Sequence, residues 1–136
     1  METYHIDTSV VMRLLVQEPL AQYICAADFL EEKLVGKATV FVCDLPLAEA
    51  YYALQTFYRV PKAKALELLA GFVKTPGISV SPHALAVLSL PNLASHKPGF
   101  VDRLIHGTAH AAGQTLVTFE KAAKKLPATL VLTAGE

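Results

Sequence analysis

The sequence of 136 residues is 53% hydrophobic and 18% charged, which excludes a disordered chain and predicts one folded domain over residues 1–136. Its 12 basic and 12 acidic residues cancel, so any contact with nucleic acid must be local. The longest apolar stretch, residues 84–94, is interrupted and too short for a membrane helix, and the first residues lack the pattern of a secretory signal. We therefore expect a cytoplasmic protein that does not contact a membrane.

Short β-branched and aromatic runs alternate with helical patterns along the chain. The apolar run Tyr4–Ile6 ends at Asp7, and Val10, Val11 and Leu14 then recur with helical spacing. Gly and Pro residues separate most of the later segments. In chain order, the predicted elements are a strand at 4–6, a helix from about residue 10, a helix at 20–34, a strand at 39–43, a helix from about residue 46, a helix at 62–73, a strand at 78–80, helices at 82–90 and 100–112, a strand at 115–119, a short helix at 120–125 and a strand at 129–132.

The order of these elements predicts the fold class. Strands that alternate with helices favour right-handed crossovers and a parallel sheet covered on both faces. We therefore expect a three-layer α/β/α domain with a central, mostly parallel five-stranded sheet. Ligands in such folds gather at the carboxyl ends of the strands, which is where chemistry is expected.

The two cysteines do not indicate a metal site. Cys25 and Cys43 lack the spacing of zinc ligands and lie in apolar runs. Buried, reduced thiols are therefore expected, and a disulfide framework is not.

Four acids lie at strand ends or helix starts. Asp7 and Glu120 follow predicted strands, while Glu49 and Asp102 lie near the starts of predicted helices. If the first and fourth strands are neighbours, these acids could form one acidic pocket. Each also has a plainer explanation, because Asp7 and Glu120 could cap helices and the other two could complement a helix dipole.

A cluster of this kind would attract a cation. Like charges about 4 Å apart repel by about 4 kcal/mol at an effective dielectric near 20. Oxygen ligands with open positions suit Mg²⁺ or Mn²⁺, and such ions can activate water for phosphodiester hydrolysis. The four acids together therefore favour a metal-dependent nuclease.

Four short segments resemble the PIN-domain family, most closely the VapC-type toxin ribonucleases of bacterial toxin–antitoxin pairs. The resemblance covers nearly the whole chain, in order and spacing. The segments are Ile-Asp-Thr-Ser-Val at 6–10, Leu-Ala-Glu-Ala at 47–50, Phe-Val-Asp-Arg-Leu-Ile at 100–105 and Leu-Val-Thr-Phe-Glu-Lys at 116–121.

The resemblance implies a ribonuclease whose Mg²⁺ or Mn²⁺ is held by Asp7, Glu49, Asp102 and Glu120. It also implies RNA as substrate, homodimers and an antitoxin whose tail occupies the active site. The family usually has Asp where this chain has Glu120, so an inactive PIN-fold binding module is the alternative.

Residues beside the acids have supporting roles in this interpretation. Hydroxyls at positions matching Thr8, Ser9 and Thr118 orient carboxylates or water in relatives, although capping would explain them equally well. Basic side chains near the acids could contact RNA phosphates, or they could face solvent or complement a helix dipole. The candidate substrate-binding residues are Arg103, Lys121 and Lys124, with Lys125 beside them.

Other chemistries fit less well. His106 and His110 have a spacing that can bind zinc, but Gly107 stands where a zinc protease needs Glu. Ser9 stands where a haloacid dehalogenase needs a second Asp, and Ser81 where a response-regulator receiver needs its phospho-acceptor. His106 could instead hydrogen-bond Asp102.

Exposed apolar contact is expected on the helix at 20–34 and at Tyr51 and Tyr52. These surfaces are the candidates for a dimer interface.

Overall fold

Parallel strands alternate with helices in the computed structural model, which describes residues 2–135, and the predicted α/β class is confirmed. The chain divides into two units, Met1–Ser81 and Pro82–Glu136. The single domain expected over residues 1–136 stays a prediction.

The strands are β1 (Thr3–His5), β2 (Thr39–Phe41), β3 (Ile78–Ser79), β4 (Leu116–Thr118) and β5 (Thr129–Val131). The helices are α1 (Thr8–Val16), α2 (Leu20–Val35), α3 (Asp44–Thr56), α4 (Lys62–Val73), α5 (Pro82–Leu88) and α6 (Phe100–Ala111), with 3-10 helices at Leu93–Ser95 and Lys121–Lys125.

The first unit is built on a parallel sheet with strand order β1-β2-β3. Tyr4 pairs with Val40, and Val40 pairs in turn with Ile78. β-branched residues of the central strand fill the middle of the unit, as expected for a strand covered on both faces. The fully buried side chains around it are Val11, Val40, Val42, Leu47, Leu54 and Leu69.

Two helices begin at the carboxyl end of this sheet. α1 begins at Thr8, directly after β1, and α3 begins at Asp44, soon after β2. The hydroxyl of Ser81 donates a hydrogen bond to Asp44 Oδ1 at 3.0 Å, which joins the start of α3 to the segment that follows β3. The carboxyl edge of the sheet therefore carries two helix N-termini.

The second unit contains the parallel pair β4-β5. Phe100 and Leu104 of α6 are buried, and His106 on the same helix is 9% exposed. His106 Nε2 lies 2.8 Å from the carbonyl oxygen of Pro127, which joins α6 to the segment before β5. All five predicted strands are thus present and pair in parallel, but they form two sheets, one of three strands and one of two, whereas one central five-stranded sheet was expected.

Three expectations about burial are wrong. Cys25 and Cys43 are free, as expected, but both are exposed. Cys25 lies on α2, in which no residue is buried, and Cys43 is the N-cap of α3 because β2 ends earlier than expected. Tyr51 is only 7% exposed, whereas its neighbour Tyr52 is 54% exposed. The helical turn places Tyr51 toward the interior of the unit.

None of the helices in residues 2–135 combines the length and apolar character that crossing a bilayer requires.

The contact between α5 and α6 gives a test of packing in the second unit. A Cβ atom at Gly107 would lie 2.7 Å from Cβ, Cγ and Cδ2 of His83. We expect Gly107→Ala to lower the free energy of unfolding by about 1–3 kcal/mol, because overpacking outweighs the gain in helix propensity. Urea unfolding followed by circular dichroism measures this loss.

Gly71→Ala is the matched control, because Gly71 also lies in a helix and a Cβ atom added there would have no other heavy atom within 4 Å. It should raise the free energy of unfolding by about 0.4–1 kcal/mol. Equal effects of the two substitutions would contradict the close approach of α5 and α6.

Candidate functional site

Asp7 joins the end of β1 to the start of α1. It is the N-cap of α1, and its Oδ1 atom accepts hydrogen bonds from the Val10 N–H at 3.2 Å and the Ser9 hydroxyl at 2.6 Å. Both of these hydrogen bonds end on the same carboxylate oxygen. The expected cap is confirmed, and one carboxylate oxygen is left for another ligand.

The pKa of Asp7 lies below its ordinary value. The hydrogen bond from Ser9 is the largest cause and the Val10 N–H is the next, while slight burial acts in the opposite direction. Both donors stabilise the ionised carboxylate. Asp7 is therefore an anion at neutral pH, as a ligand for a hard cation must be.

Glu49 is linked to the same helix start. The Thr8 hydroxyl donates a hydrogen bond of 2.7 Å to Glu49 Oε1, which connects the first residue of α1 to the second turn of α3. The link forms because both helices begin at the carboxyl edge of one sheet. Asp7 and Glu49 are thus each held by a hydroxyl of the Thr8–Ser9 pair.

The other two predicted acids belong to the second unit. Asp102 is exposed in the first turn of α6. Glu120 follows β4 and caps the 3-10 helix Lys121–Lys125, because its Oε1 accepts the Ala122 N–H at 3.1 Å. Thr118 Oγ1 accepts the Glu120 N–H at 3.0 Å. In the structure, Glu120 therefore acts as a helix cap, which is the alternative to its role as a metal ligand.

The candidate substrate-binding cations differ in their contacts. Arg103 is half-buried, and its Nε donates to the carbonyl oxygen of Pro98 at 2.7 Å, which holds the loop before α6. Lys121 and Lys124 are exposed on the 3-10 helix that Glu120 caps, and Lys125 is exposed beside them. These lysines are accessible to a phosphate backbone, whereas one nitrogen of Arg103 is already bound.

The donors fit a hard divalent cation by their chemistry. The hydrogen-bonded acids of the first unit offer carboxylate oxygens, and these are the ligands that Mg²⁺ and Mn²⁺ prefer. In residues 2–135, no group of three or more His, Cys, Asp or Glu side chains is arranged to hold a metal ion. The four-acid metal site stays a prediction.

The histidine pair has a structural arrangement. The His106 and His110 rings stack with centroids 5.3 Å apart and an angle of 17° between their planes. Rings stacked in this way direct their in-plane lone pairs along similar directions, not toward one shared ion. His106 Nε2 contacts Pro127 and not Asp102.

A cleft beside Asp7 was not anticipated from the sequence. It has a volume of about 860 Å³ and lies along β1, α1 and α2, with Asp7 and Ser9 in its wall. Arg13 on α1 and Gln22 on α2 also line it, and the Arg13 Nε donates a hydrogen bond to Gln22 Oε1. The only sequence signal was the position of Arg13, which lies six residues after Asp7 on a predicted helix. The remaining lining residues are Tyr4, His5, Ile6, Val10, Cys25, Ala26 and Phe29.

Comparison with known proteins defines the family. The PIN domain model matches residues 4–128. No curated protein matches the chain. Among solved structures, the chain is similar to a chain in the crystal structure of VapBC2 from Rickettsia felis bound to a DNA fragment from their promoter. The two chains are 20% identical over 96% of this chain and 97% of that chain, with a TM-score of 0.42.

The family model spans most of the chain, so the chain belongs to the PIN domain family. The predicted family and the α/β class are therefore both confirmed.

The contact between Ser9 and Asp7 gives a test that needs no metal. We expect Ser9→Ala to raise the Asp7 pKa toward its ordinary value, because the largest cause of its lowering is removed. Carbon-13 NMR titration of the Asp7 carboxyl group in EDTA measures the change. Because the Asp7 pKa is lower in the folded state than in the unfolded state, ionised Asp7 stabilises the fold. This stabilisation is fully present above the unfolded-state pKa and is lost as pH falls through the folded-state pKa. The variant should begin to lose it at a higher pH.

Ser89→Ala serves as the control, because the Ser89 hydroxyl donates to the Leu85 carbonyl and does not contact Asp7. An Asp7 pKa that is the same in the Ser9 and Ser89 variants would contradict the hydrogen bond between Ser9 and Asp7.

Proposed function

We propose that this PIN-domain protein is a divalent-metal-dependent ribonuclease, the VapC-type toxin of a toxin–antitoxin pair. Its substrate is RNA, and the reaction is hydrolysis of a phosphodiester bond. The proposed partners are an antitoxin and a second copy of the chain, and the proposed location is the cytoplasm. Membership of the PIN domain family and the four motif segments support this proposal.

The arrangement around Asp7 is the observation that carries the proposal. An ionised carboxylate stands at the carboxyl end of β1 with one oxygen fixed by Ser9 and Val10. The Thr8 hydroxyl holds Glu49 from the adjacent position. Two carboxylates oriented by neighbouring hydroxyls suit a hard cation better than a purely structural role, because a cap requires only one of them.

The proposed metal ligands are Asp7, Glu49, Asp102 and Glu120. A bound Mg²⁺ or Mn²⁺ would supply an activated water and neutralise charge on the phosphate. Thr8 and Ser9 would keep the Asp7 and Glu49 carboxylates oriented through their hydroxyls. Thr118 would support the segment of Glu120 by accepting its N–H, as it does in the structure.

Local positive charge would bind the RNA backbone. Lys121 and Lys124 are exposed beside Glu120, so each could contact phosphate without losing an existing partner. Arg103 could contribute through its other nitrogens while its Nε holds Pro98.

One observation favours a second candidate, an inactive PIN-fold binding module. The Glu120 carboxylate caps the helix that follows it, which explains that residue without a metal. A single cap is worth about 1 kcal/mol, so the contact is weak enough to rearrange when a cation binds.

Asp7→Asn tests the catalytic role without disturbing the fold. Asn is as good an N-cap as Asp and can keep both hydrogen bonds to Oδ1, but it lacks the negative charge. We expect the rate of cleavage of single-stranded RNA in Mn²⁺ to fall by more than about 100-fold. This loss exceeds the effect that is usual when a residue that only supports a metal ligand is removed. Gel analysis of a labelled RNA measures the rate.

Asp28→Asn is the matched control, since Asp28 is an exposed acid on α2 outside the cleft. It should cleave RNA at the original rate. Equal rates for the Asp7 and Asp28 variants would refute the proposed nuclease site.

Metal binding separates the two candidate functions. A nuclease site should raise the thermal midpoint of unfolding when Mn²⁺ is added. At 100 times the dissociation constant, binding stabilises the folded state by about 2.7 kcal/mol. EDTA should reverse this shift and abolish RNA cleavage. Differential scanning fluorimetry with and without Mn²⁺ measures it, with Asp7→Asn as the comparison. A protein that cleaves RNA in excess EDTA, or one with no Mn²⁺ response, contradicts the metal-dependent mechanism.

A further inference from the structure

We propose that the cleft along β1, α1 and α2 binds the single-stranded RNA segment next to the scissile phosphate, with Arg13 contacting its backbone and Gln22 positioning Arg13. This inference rests on the proposed ribonuclease function and names where its substrate lies. It proposes an RNA-binding surface in the first unit, in addition to the proposed RNA-binding lysines of the second unit.

The position of the cleft connects it to the proposed reaction. Asp7 and Ser9 form part of the cleft wall, so a chain lying in the cleft passes directly beside the candidate metal ligand. Its volume of about 860 Å³ is within the range of pockets that enclose small organic ligands. A short stretch of nucleotides can therefore enter the cleft.

The charge of the cleft suits a polyanion when the site holds a metal. Asp7 and Arg13 are the residues of opposite formal charge among its lining side chains. A divalent cation bound to Asp7 would more than offset the carboxylate charge, so that this charge would no longer oppose that of Arg13. The metal and the RNA would thus bind in support of each other.

Arg13 is held in place by a neutral partner. Its Nε donates to Gln22 Oε1, and within residues 2–135 its two terminal nitrogens make no hydrogen bond or ion pair. A guanidinium with two free terminal nitrogens can bind phosphate by paired hydrogen bonds. Because Gln22 has no charge, it orients Arg13 without neutralising it.

The aromatic part of the lining suits unpaired bases. Tyr4 and Phe29 line the cleft and form an edge-to-face pair with ring centroids 5.7 Å apart, and Lys33 Nζ lies over both rings, 4.6 Å from the Tyr4 centroid and 5.5 Å from the Phe29 centroid. Stacking of bases on aromatic rings tolerates any sequence, and it requires bases that are not in a duplex. Single-stranded RNA therefore fits the lining better than double-stranded RNA does.

A structural role for Arg13 is the competing explanation. Arg13 lies in the last turn of α1, where a positive charge complements the helix dipole, and it joins α1 to α2. The test must therefore keep the hydrogen bond between Arg13 and residue 22 and change only the net charge of this pair. Gln22→Glu does this, because the carboxylate still accepts from Arg13 but neutralises it.

The experiment measures fluorescence anisotropy of a labelled, mixed-sequence single-stranded RNA in EDTA. All proteins carry Asp7→Asn, which prevents cleavage and imitates the charge neutralisation by a metal. We expect Gln22→Glu to weaken binding by about tenfold or more, the loss expected for one charge-assisted contact. Arg13→Ala should do the same and should lower the slope of log affinity against log salt by about one. Gln114→Glu is the matched control, because it is the same substitution at an exposed residue outside the cleft. It should leave RNA affinity unchanged.

Thermal unfolding of the same variants separates binding from folding. Gln22→Glu should unfold at the same temperature as Gln114→Glu, or higher. Arg13→Lys keeps the charge but loses the paired guanidinium contacts, so its RNA affinity should lie between that of the protein with Arg13 and that of Arg13→Ala. Equal RNA affinity of the Gln22 and Gln114 variants overturns the proposal, and so does an Arg13→Lys variant as weak as Arg13→Ala.

The outcome also distinguishes this proposal from the proposed function. Loss of affinity in Gln22→Glu, together with no cleavage by the unmodified chain in Mg²⁺ or Mn²⁺, would support the RNA-binding cleft and refute the nuclease. Cleavage by the unmodified chain, together with unchanged affinity in Gln22→Glu, would refute the cleft and leave the nuclease standing.

Discussion

The carboxylate of Asp7 is the constraint on which the local structure depends. One of its oxygens accepts from both Ser9 and Val10, which fixes the point at which β1 ends and α1 begins. The position of Thr8 follows from that point, and with it the hydrogen bond that holds Glu49. The same start of α1 places Arg13 in the wall of the cleft. A single helix cap thus organises two acids of the first unit, the hydroxyls that hold them and the neighbouring surface.

Much of the first unit could be predicted from the sequence, because local patterns determine it. The alternation of strands and helices, the cap at Asp7 and the burial of the second strand all follow from periodicity and from residue type. Tyr51 and Cys43 were misjudged for a different reason. Cys43 is exposed because β2 ends at Phe41 and Cys43 is the N-cap of α3. Tyr51 lies in the middle of α3 and is buried because it shares a helical face with Leu47 and Leu54.

The candidate site was predictable in its residues but not in its contacts. Acids at strand ends indicate a possible cation site, yet the sequence cannot show that Thr8 is the hydroxyl that reaches Glu49, because the two are 41 residues apart. The pairing of Arg13 with Gln22 was hidden for the same reason, since it depends on how two helices pack. Glu120 illustrates the opposite case. Its contact with Ala122 is local, and capping was already one of its two explanations.

The helix that carries Gln22 has an unusual place in the first unit. α2 is 16 residues long, and none of them is buried. A helix with so little packing opens at a low free-energy cost relative to global unfolding, so its amide hydrogens should exchange with solvent sooner than those of α3, which has five buried residues. Whenever α2 opens, Arg13 loses the restraint of Gln22 while Asp7 keeps its own local contacts. The restraint on Arg13 and the orientation of the Asp7 carboxylate therefore belong to separately fluctuating parts of the first unit.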